Sequence, residues 1–573
     1  MRSRLLVRHF LGQFVENDFS PDADRHQVLA LAAAGLITVP LFVTVFMGWT
    51  YLMRPLQAPG WTEITAAGDQ ITFCATSMLV SAIIATLEWD ALSLGARDSL
   101  ILGVLPVSHH EIVWAKAAAL ATFLAAFVIA LNALPTVLHP AFMAANLSLN
   151  PLMLLPLMAA HGISTTMAGA FGFSSVVALR EVLYLCLGRR RFWPVASLVR
   201  SGLLFLLLVL VALVPVRLVG RPELLLQPGH GAALLRPVTW FAAAHTAIGG
   251  RVLEQLPQPD MPAWLANEEG RFRTEYRNAL PHLTALAFRG TGALVLLLTV
   301  SSATYLWNAR RLHVLADQNG VGVFRAFAVS DRLASALTRR PAKRAGLLFL
   351  FRTVVGNPVH RLYLITSTAL GVALWIAIGP HASAVSPVSA AGETLTFALA
   401  SQTLLLIAVI AGFRAAARTA ADAHAGWLFR IADEGNLAEF RKGVRLGVMT
   451  ATIVTVLLLL PIHAAAWGMS AASKHAINGA AIGWLFVEVT CADVDQPLVC
   501  TIPPNDGLNT VGVVFLGAMV ISVFLLAHIE ASVLAGRFVS ISFTVTMVFL
   551  AACAHYFAEK NLRRHLWTSH TAQ

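Results

Sequence analysis

"LGVMTATIVTVLLLLPIHAAAWG" runs from Leu446 to Gly468 without a single Asp, Glu, Lys or Arg. At about 1.5 Å per helical residue it reaches about 34 Å, enough to cross a hydrocarbon core of about 30 Å. A lipid-facing barrel strand would alternate apolar and polar side chains, and this run does not. Similar runs recur from one end of the chain to the other. The 573 residues are 57% hydrophobic and 12% charged, with a mean hydropathy of +0.70. Soluble domains carry roughly 25% charged residues. The composition therefore specifies an all-α polytopic membrane protein.

Working outward from 446–468, twelve spans are expected, near 28–52, 71–87, 112–137, 151–179, 198–219, 291–307, 362–379, 395–413, 446–468, 476–490, 511–529 and 538–557. The tenth is short and carries Glu488. A cytoplasmic N-terminus puts most of the 41 Lys and Arg on the cytoplasmic side and leaves Arg54, Lys474 and Arg537 on short outer loops. Basic residues concentrate on cytoplasmic loops, so the C-terminus, with Lys560, Arg563 and Arg564, is cytoplasmic as well. The same rule accounts for the net charge of +11 without a nucleic-acid partner. The excess of Arg over Lys and the abundance of Ala and Leu suggest a GC-rich bacterial genome, hence the bacterial inner membrane. Three regions follow: a six-span half at 1–310 with an outer loop at about 220–288, a basic cytoplasmic linker at 311–360 containing "RRPAKR", and a second six-span half at 361–573.

Between spans 2 and 3 lies "WDALSLGARDSLILGVLPVSHHEIVWAK", Trp89 to Lys116. It is too charged for lipid. Pro106 ends one element, and Ser108 with Glu111 fits the S-x-x-E capping box that starts a helix. The corresponding loop between spans 8 and 9, residues 418–445, is broken at Gly435, and Asn436 with Glu439 can cap the next helix. Each loop has an acid-containing first part, a break, a capped helix and basic residues entering the membrane. A capped helix continuous with a span can carry force from a partner into the bilayer; it can equally be a surface anchor.

The sequence lacks a G-x-x-x-x-G-K-[ST] phosphate loop, an H-E-x-x-H pair, a Cys/His zinc spacing and a G-x-S-x-G elbow. No catalytic residue, metal or cofactor of its own is expected. "HHE" at 109–111 places adjacent side chains in different directions on a helix, unsuited to one ion. Ionisable residues inside spans are costly and mark pathways or pairs. Glu488 is the clearest, as a residue of a substrate path or as the partner of a neighbouring helix; His161, His463 and His528 lie near span ends.

"RDSLILGVLPVSHHEIVWAK" resembles the region after span 2 of type-2 ABC transporter permeases, the match falling on Leu105, Pro106, Ser108, Glu111 and Lys116. "LRPVTWFAAAHTAIGG" at 235–250, "FLFRTVVGNPVHRLYL" at 349–364, "HAGWLFRIAD" at 424–433 and "PLVCTIPPNDGLN" at 497–509 resemble a group of large bacterial permease-like proteins of mostly unassigned substrate. The last departs from the group's pattern, with Thr501 after Cys500 and Asp506-Gly507 in place of a basic pair.

The resemblance implies a permease subunit of an ATP-driven exporter. ATP and Mg would sit on a separate ABC ATPase, in two copies, docked on the cytoplasmic loops. The docking candidates are Trp89, Asp90, Arg97, Asp98, Pro106, Ser108, Glu111 and Lys116 in the first loop, and Trp427, Arg430, Asn436, Glu439, Arg441 and Lys442 in the second. Two other classes stay open. One is a membrane enzyme acting on lipids or lipid-linked substrates through Asp260, Glu268, Glu269 and His282 of the outer loop. The other is an ion-coupled secondary transporter working through Glu488.

Overall fold

A computed structural model describes residues 2–14, 41, 43–49, 51, 59–92, 102, 107–147, 151–217, 237–254, 263–311, 331–332, 334–379, 393–418, 437–490, 510–534 and 540–571. The described residues are almost entirely helical, and no strand occurs among them. Among them, nine helices are long and apolar enough to cross a membrane. The protein is an all-α, multi-pass membrane protein.

The chain forms two compact units, 1–319 and 320–573. In the first, the helices are α1 (Arg2–Gln13), α2 (Pro59–Leu87), α3 (His109–Leu147), α4 (Pro151–Arg217), α5 (Pro237–Glu254) and α6 (Ala263–Arg311). Helix α4 is two spans, 151–188 and 195–214, joined at Gly188, whose φ of +62° no other residue type adopts cheaply. In the second unit they are α7 (Pro341–Gly356), α8 (Pro358–Ile378), α9 (Glu393–Arg418), α10 (Leu437–Trp467), α11 (Met469–Thr490), α12 (Thr510–Leu534) and α13 (Ser540–Thr571).

Most of span 1 lies outside the described residues, although 43–49 are helical. Span 10 lies in α11, which is not among the nine: Lys474, Asn478 and Glu488 dilute its apolar character. Span 11 lies in α12, where Ile521–Leu534 counts as a shorter apolar helix.

Two expectations need correction. The described parts of the expected outer loop are not a separate soluble piece. Phe241, Ala242 and Ala243 of α5 are buried with Tyr276, Ala279, Leu283 and Leu286 of α6 and with Ala67, Ile71 and Cys74 of α2. "EEGRFRTEYRNAL" is the first part of a helix that continues to Arg311, because its apolar face at Tyr276, Ala279 and Leu283 keeps the helical period. Nor is 311–360 wholly a linker. Helix α7, which begins within "RRPAKR", packs along α10. Gly346 and Gly443 make that crossing: a methyl group on Gly346 would overlap the Phe440 carbonyl oxygen, and one on Gly443 the Lys343 carbonyl oxygen.

The two units share an order of parts. A short helix bearing Arg or Lys, α1 or α7, packs on the helix of the third span, α3 or α10. The second span, α2 or α9, packs on that helix and on the next, α4 or α11.

Candidate functional site

The loop candidates divide by burial. Trp89 is 2% exposed and packs with Leu92, Phe173 and Phe192. Lys116 is fully buried; its Nζ donates to Gln13 Oε1 at 2.7 Å and lies 4.8 and 5.2 Å from the Phe10 and Phe14 rings. These two hold the unit together and present no surface, which corrects their assignment to a docking face. A large indole excludes water better inside, and the ammonium finds an amide oxygen and two π-faces. Asp90 is exposed and pairs with Arg200 at 2.5 Å. The same guanidinium donates to the Thr86 and Leu87 carbonyls, satisfying the C-terminal end of α2.

Ser108 and Glu111 form the expected capping box. The Glu111 carboxylate accepts from Ser108 N at 3.0 Å, and Glu111 N donates to Ser108 Oγ at 3.3 Å. Arg97, Asp98, Pro106, Trp427, Arg430 and Asn436 lie outside the described residues. Glu439 accepts from Arg340 at 3.1 Å and from Lys442 at 3.3 Å, and Lys442 also reaches Glu559 at 3.1 Å. These pairs tie α7, α10 and α13 together. Arg441 is half-buried. Of the residues expected for the enzyme reading, Asp260 lies outside the described residues, as do the side chains of Glu268 and Glu269.

Glu488 is buried and paired. It accepts from Arg445 at 3.4 Å, from Trp484 at 3.2 Å and faces His555 Nδ1 at 3.0 Å. Glu488 thus links α11 to α10 and α13.

Less expected is a buried polar centre in each unit. In the first, Tyr51 donates to Asp69 Oδ2 at 2.8 Å, and His139 Nε2 lies 3.8 Å from the same oxygen. His139 and His161 follow with ring centroids 5.2 Å apart, then His245 at 6.2 Å from His161. Among the described residues, both nitrogens of His139 and His161, and Nε2 of His245, find no hydrogen-bond partner. Gln70 donates to Ser164 Oγ at 2.6 Å beside them. In the second unit, Glu530 Oε1 faces His475 Nδ1 at 2.9 Å and accepts from Asn478 at 3.0 Å. Thr544 Oγ1 donates to Asn478 Oδ1 at 2.7 Å. The His475 and His463 rings are 5.1 Å apart, and Trp467 stacks on His463 at 4.8 Å. Gln402 donates to the His475 carbonyl at 3.3 Å.

The two centres correspond in chain order. An aromatic side chain of the first span meets the third-span histidine: Tyr51 on His139 at 5.8 Å, Trp375 on His463 at 6.3 Å. Gln70 and Gln402 come from the second span, and His161 and His475 from the fourth. The carboxylate differs, from the second span in one unit (Asp69) and from α12 in the other (Glu530). Among the described residues, no three His, Cys, Asp or Glu side chains are gathered closely enough to hold a metal ion.

No protein-family model, curated protein or solved structure matches this chain. Function is therefore read from the geometry. Histidines and carboxylates inside spans are expensive and persist where they pair or serve a pathway. Sequence reading singled out His161 and His463 but not His139, His245, His475 or Glu530, which converge only when separate helices pack. One signal was available: both third-span histidines neighbour a proline, in "LHPAF" and "LPIHA".

Proposed function

We propose that this chain is the transmembrane permease subunit of an ATP-driven, ABC-type exporter, with no ATPase domain of its own. The observation that carries the reading is one helix in each unit. Helix α3 is continuous from the capping box at Ser108 to His139, about 45 Å at 1.5 Å per residue. Helix α10 is continuous from Glu439 to His463, about 36 Å. Each rod joins a polar loop to a buried histidine pair. A push on the loop is carried along one helix as far as the proline that precedes the histidine. Pro135 and Pro461 lie shortly before those histidines, where a missing backbone N–H lets a helix bend.

In this reading the chain has twelve spans in two six-span units, lies in the bacterial inner membrane and keeps both termini cytoplasmic. The partner is an ABC ATPase in two copies, which binds ATP and Mg. A single chain with two six-span units supplies a full transmembrane set without homodimerising. The resemblance of "RDSLILGVLPVSHHEIVWAK" to type-2 permeases supports the same partner. Asp90 and Glu111, both exposed, are the described first-loop side chains best placed to meet it.

The test is a mild-detergent pull-down of the tagged chain from its native membrane, with mass spectrometry. A phosphate-loop ATPase should accompany it at near-stoichiometric yield, and Asp90→Ala with Glu111→Ala should lower that yield at least several-fold. A monodisperse, folded chain that comes out alone would overturn the reading.

A further inference from the structure

We propose that the Glu530–His475–His463 row of the second unit is an intramembrane proton-binding site that passes its proton from α11 to α10. The row has one carboxylate and two imidazoles, all three buried. A carboxylate beside two neutral histidines would leave a net buried negative charge, which costs several kcal/mol. One added proton makes the row neutral. The proposal puts it on His475: Glu530 Oε1 accepts from Asn478 and faces His475 Nδ1 at 2.9 Å, a geometry that suits an imidazolium.

The rest of the row supplies the next step. Among the described residues, His475 Nε2 has no hydrogen-bond partner, and neither has His463 Nδ1. Buried polar atoms are usually paired, so two orphans on neighbouring rings are informative. Rings with centroids 5.1 Å apart are within a side-chain rotation of a nitrogen–nitrogen hydrogen bond. In that bond the His475 imidazolium gives its Nε2 proton to His463 Nδ1. His463 becomes the imidazolium, and His475 stays neutral with its Nδ1–H on Glu530. No other reactant is needed. Trp467, stacked on His463 at an interplanar angle of 12°, then meets the cation with its π-face.

The described groups that face the row are Trp375 of α8, Gln402 of α9, Trp467 of α10, Asn478 of α11 and Thr544 of α13, none of which titrates near neutrality. Several other described titratable groups on these helices lie elsewhere. Lys474 and His528 are exposed. Arg445, Glu488, His555, Lys442 and Glu559 pair among themselves. Arg414 and Cys553 are more than two turns from Gln402 and Thr544 along their helices. Among the described residues, the titratable groups that meet here are the three of the row. Proton binding here does not depend on an ATPase.

Trp467 is a built-in reporter, because an imidazolium quenches indole emission. The experiment is a fluorescence titration of the purified full chain in lipid nanodiscs between pH 5 and 8. The wild-type signal minus that of Trp467→Phe should be one sigmoidal change, absent when the same difference is taken in a His463→Gln background. Glu530→Gln should displace the midpoint by one pH unit or more, as removal of an opposite charge shifts a neighbour by about 1–3 units. Circular dichroism and monodisperse elution establish that each variant is folded; His475→Asn serves in place of any variant that is not, and should also lose the change. A flat Trp467 difference titration, a difference that survives His463→Gln, or a midpoint unmoved in folded Glu530→Gln would overturn the proposal.

Discussion

Replacing Glu530 by Ala should be among the most damaging single changes in the second unit. The side chain is buried on α12 and takes hydrogen bonds from two residues of α11, His475 and Asn478. Alanine leaves both donors buried without an acceptor. An orphaned buried donor costs about 1–3 kcal/mol, so the pair costs about 2–6 kcal/mol. Breaking one side of a buried ionic contact independently gives about 3–5 kcal/mol. Glu530→Gln keeps a carbonyl oxygen for the same donors and should cost only about 1–2 kcal/mol. The assay is reversible unfolding in mixed micelles, followed by circular dichroism and fitted to a linear free-energy dependence on denaturant. A double-mutant cycle with Asn478→Ala should show coupling of about 1 kcal/mol or more between the two sites. If Glu530→Ala lies within about 0.5 kcal/mol of wild type, or equals Glu530→Gln, the two donors are not held by this carboxylate and the centre is wrongly built.

Gly443→Val should force α7 from α10, because the new side chain meets the Lys343 carbonyl and the Leu347 nitrogen; a loss of about 1–3 kcal/mol in the same unfolding assay is expected. Gly202→Ala on α4 meets nothing within 4 Å and should be neutral or stabilising by up to about 1 kcal/mol. Ser108→Ala removes one arm of the capping box and should cost about 1 kcal/mol, seen as faster amide exchange confined to the first turn of α3. Lys116→Glu should release α1, because a carboxylate repels the Gln13 oxygen and the ring faces that now receive an ammonium; proteolysis within Arg2–Gln13 would report it.

The fold was largely legible because lipid leaves little choice. A run such as 446–468 must satisfy its backbone internally and is long enough to cross, and α10 covers it. The capping box at Ser108 and Glu111 was legible for a local reason: its partners are three residues apart. What escaped were contacts made between helices. Trp89 and Lys116 read as surface residues because a charged loop surrounds them in sequence, yet α4 covers one and α1 the other. Glu488 stood out as a lone carboxylate in an apolar run, while its partners Arg445 and His555 are 43 and 67 residues away. Glu530 drew no notice at the end of a span, although His475, 55 residues earlier, gives it its role. Hydrophobic period reports which face of a helix is apolar, but not which polar groups its neighbours will bring.

The lysine beneath α1 also bears on how the protein is made. Gln13 and its partner Lys116 are 103 residues apart. At a synthesis rate of about 5–20 residues per second, α1 leaves the ribosome about 5–20 s before the side chain that will hold it. During that interval its Leu6 and Phe10, buried in the finished protein, have no protein to cover them, and its arginines suit an anionic leaflet. The membrane surface is therefore the first docking site of this helix, and α3 displaces lipid when it arrives.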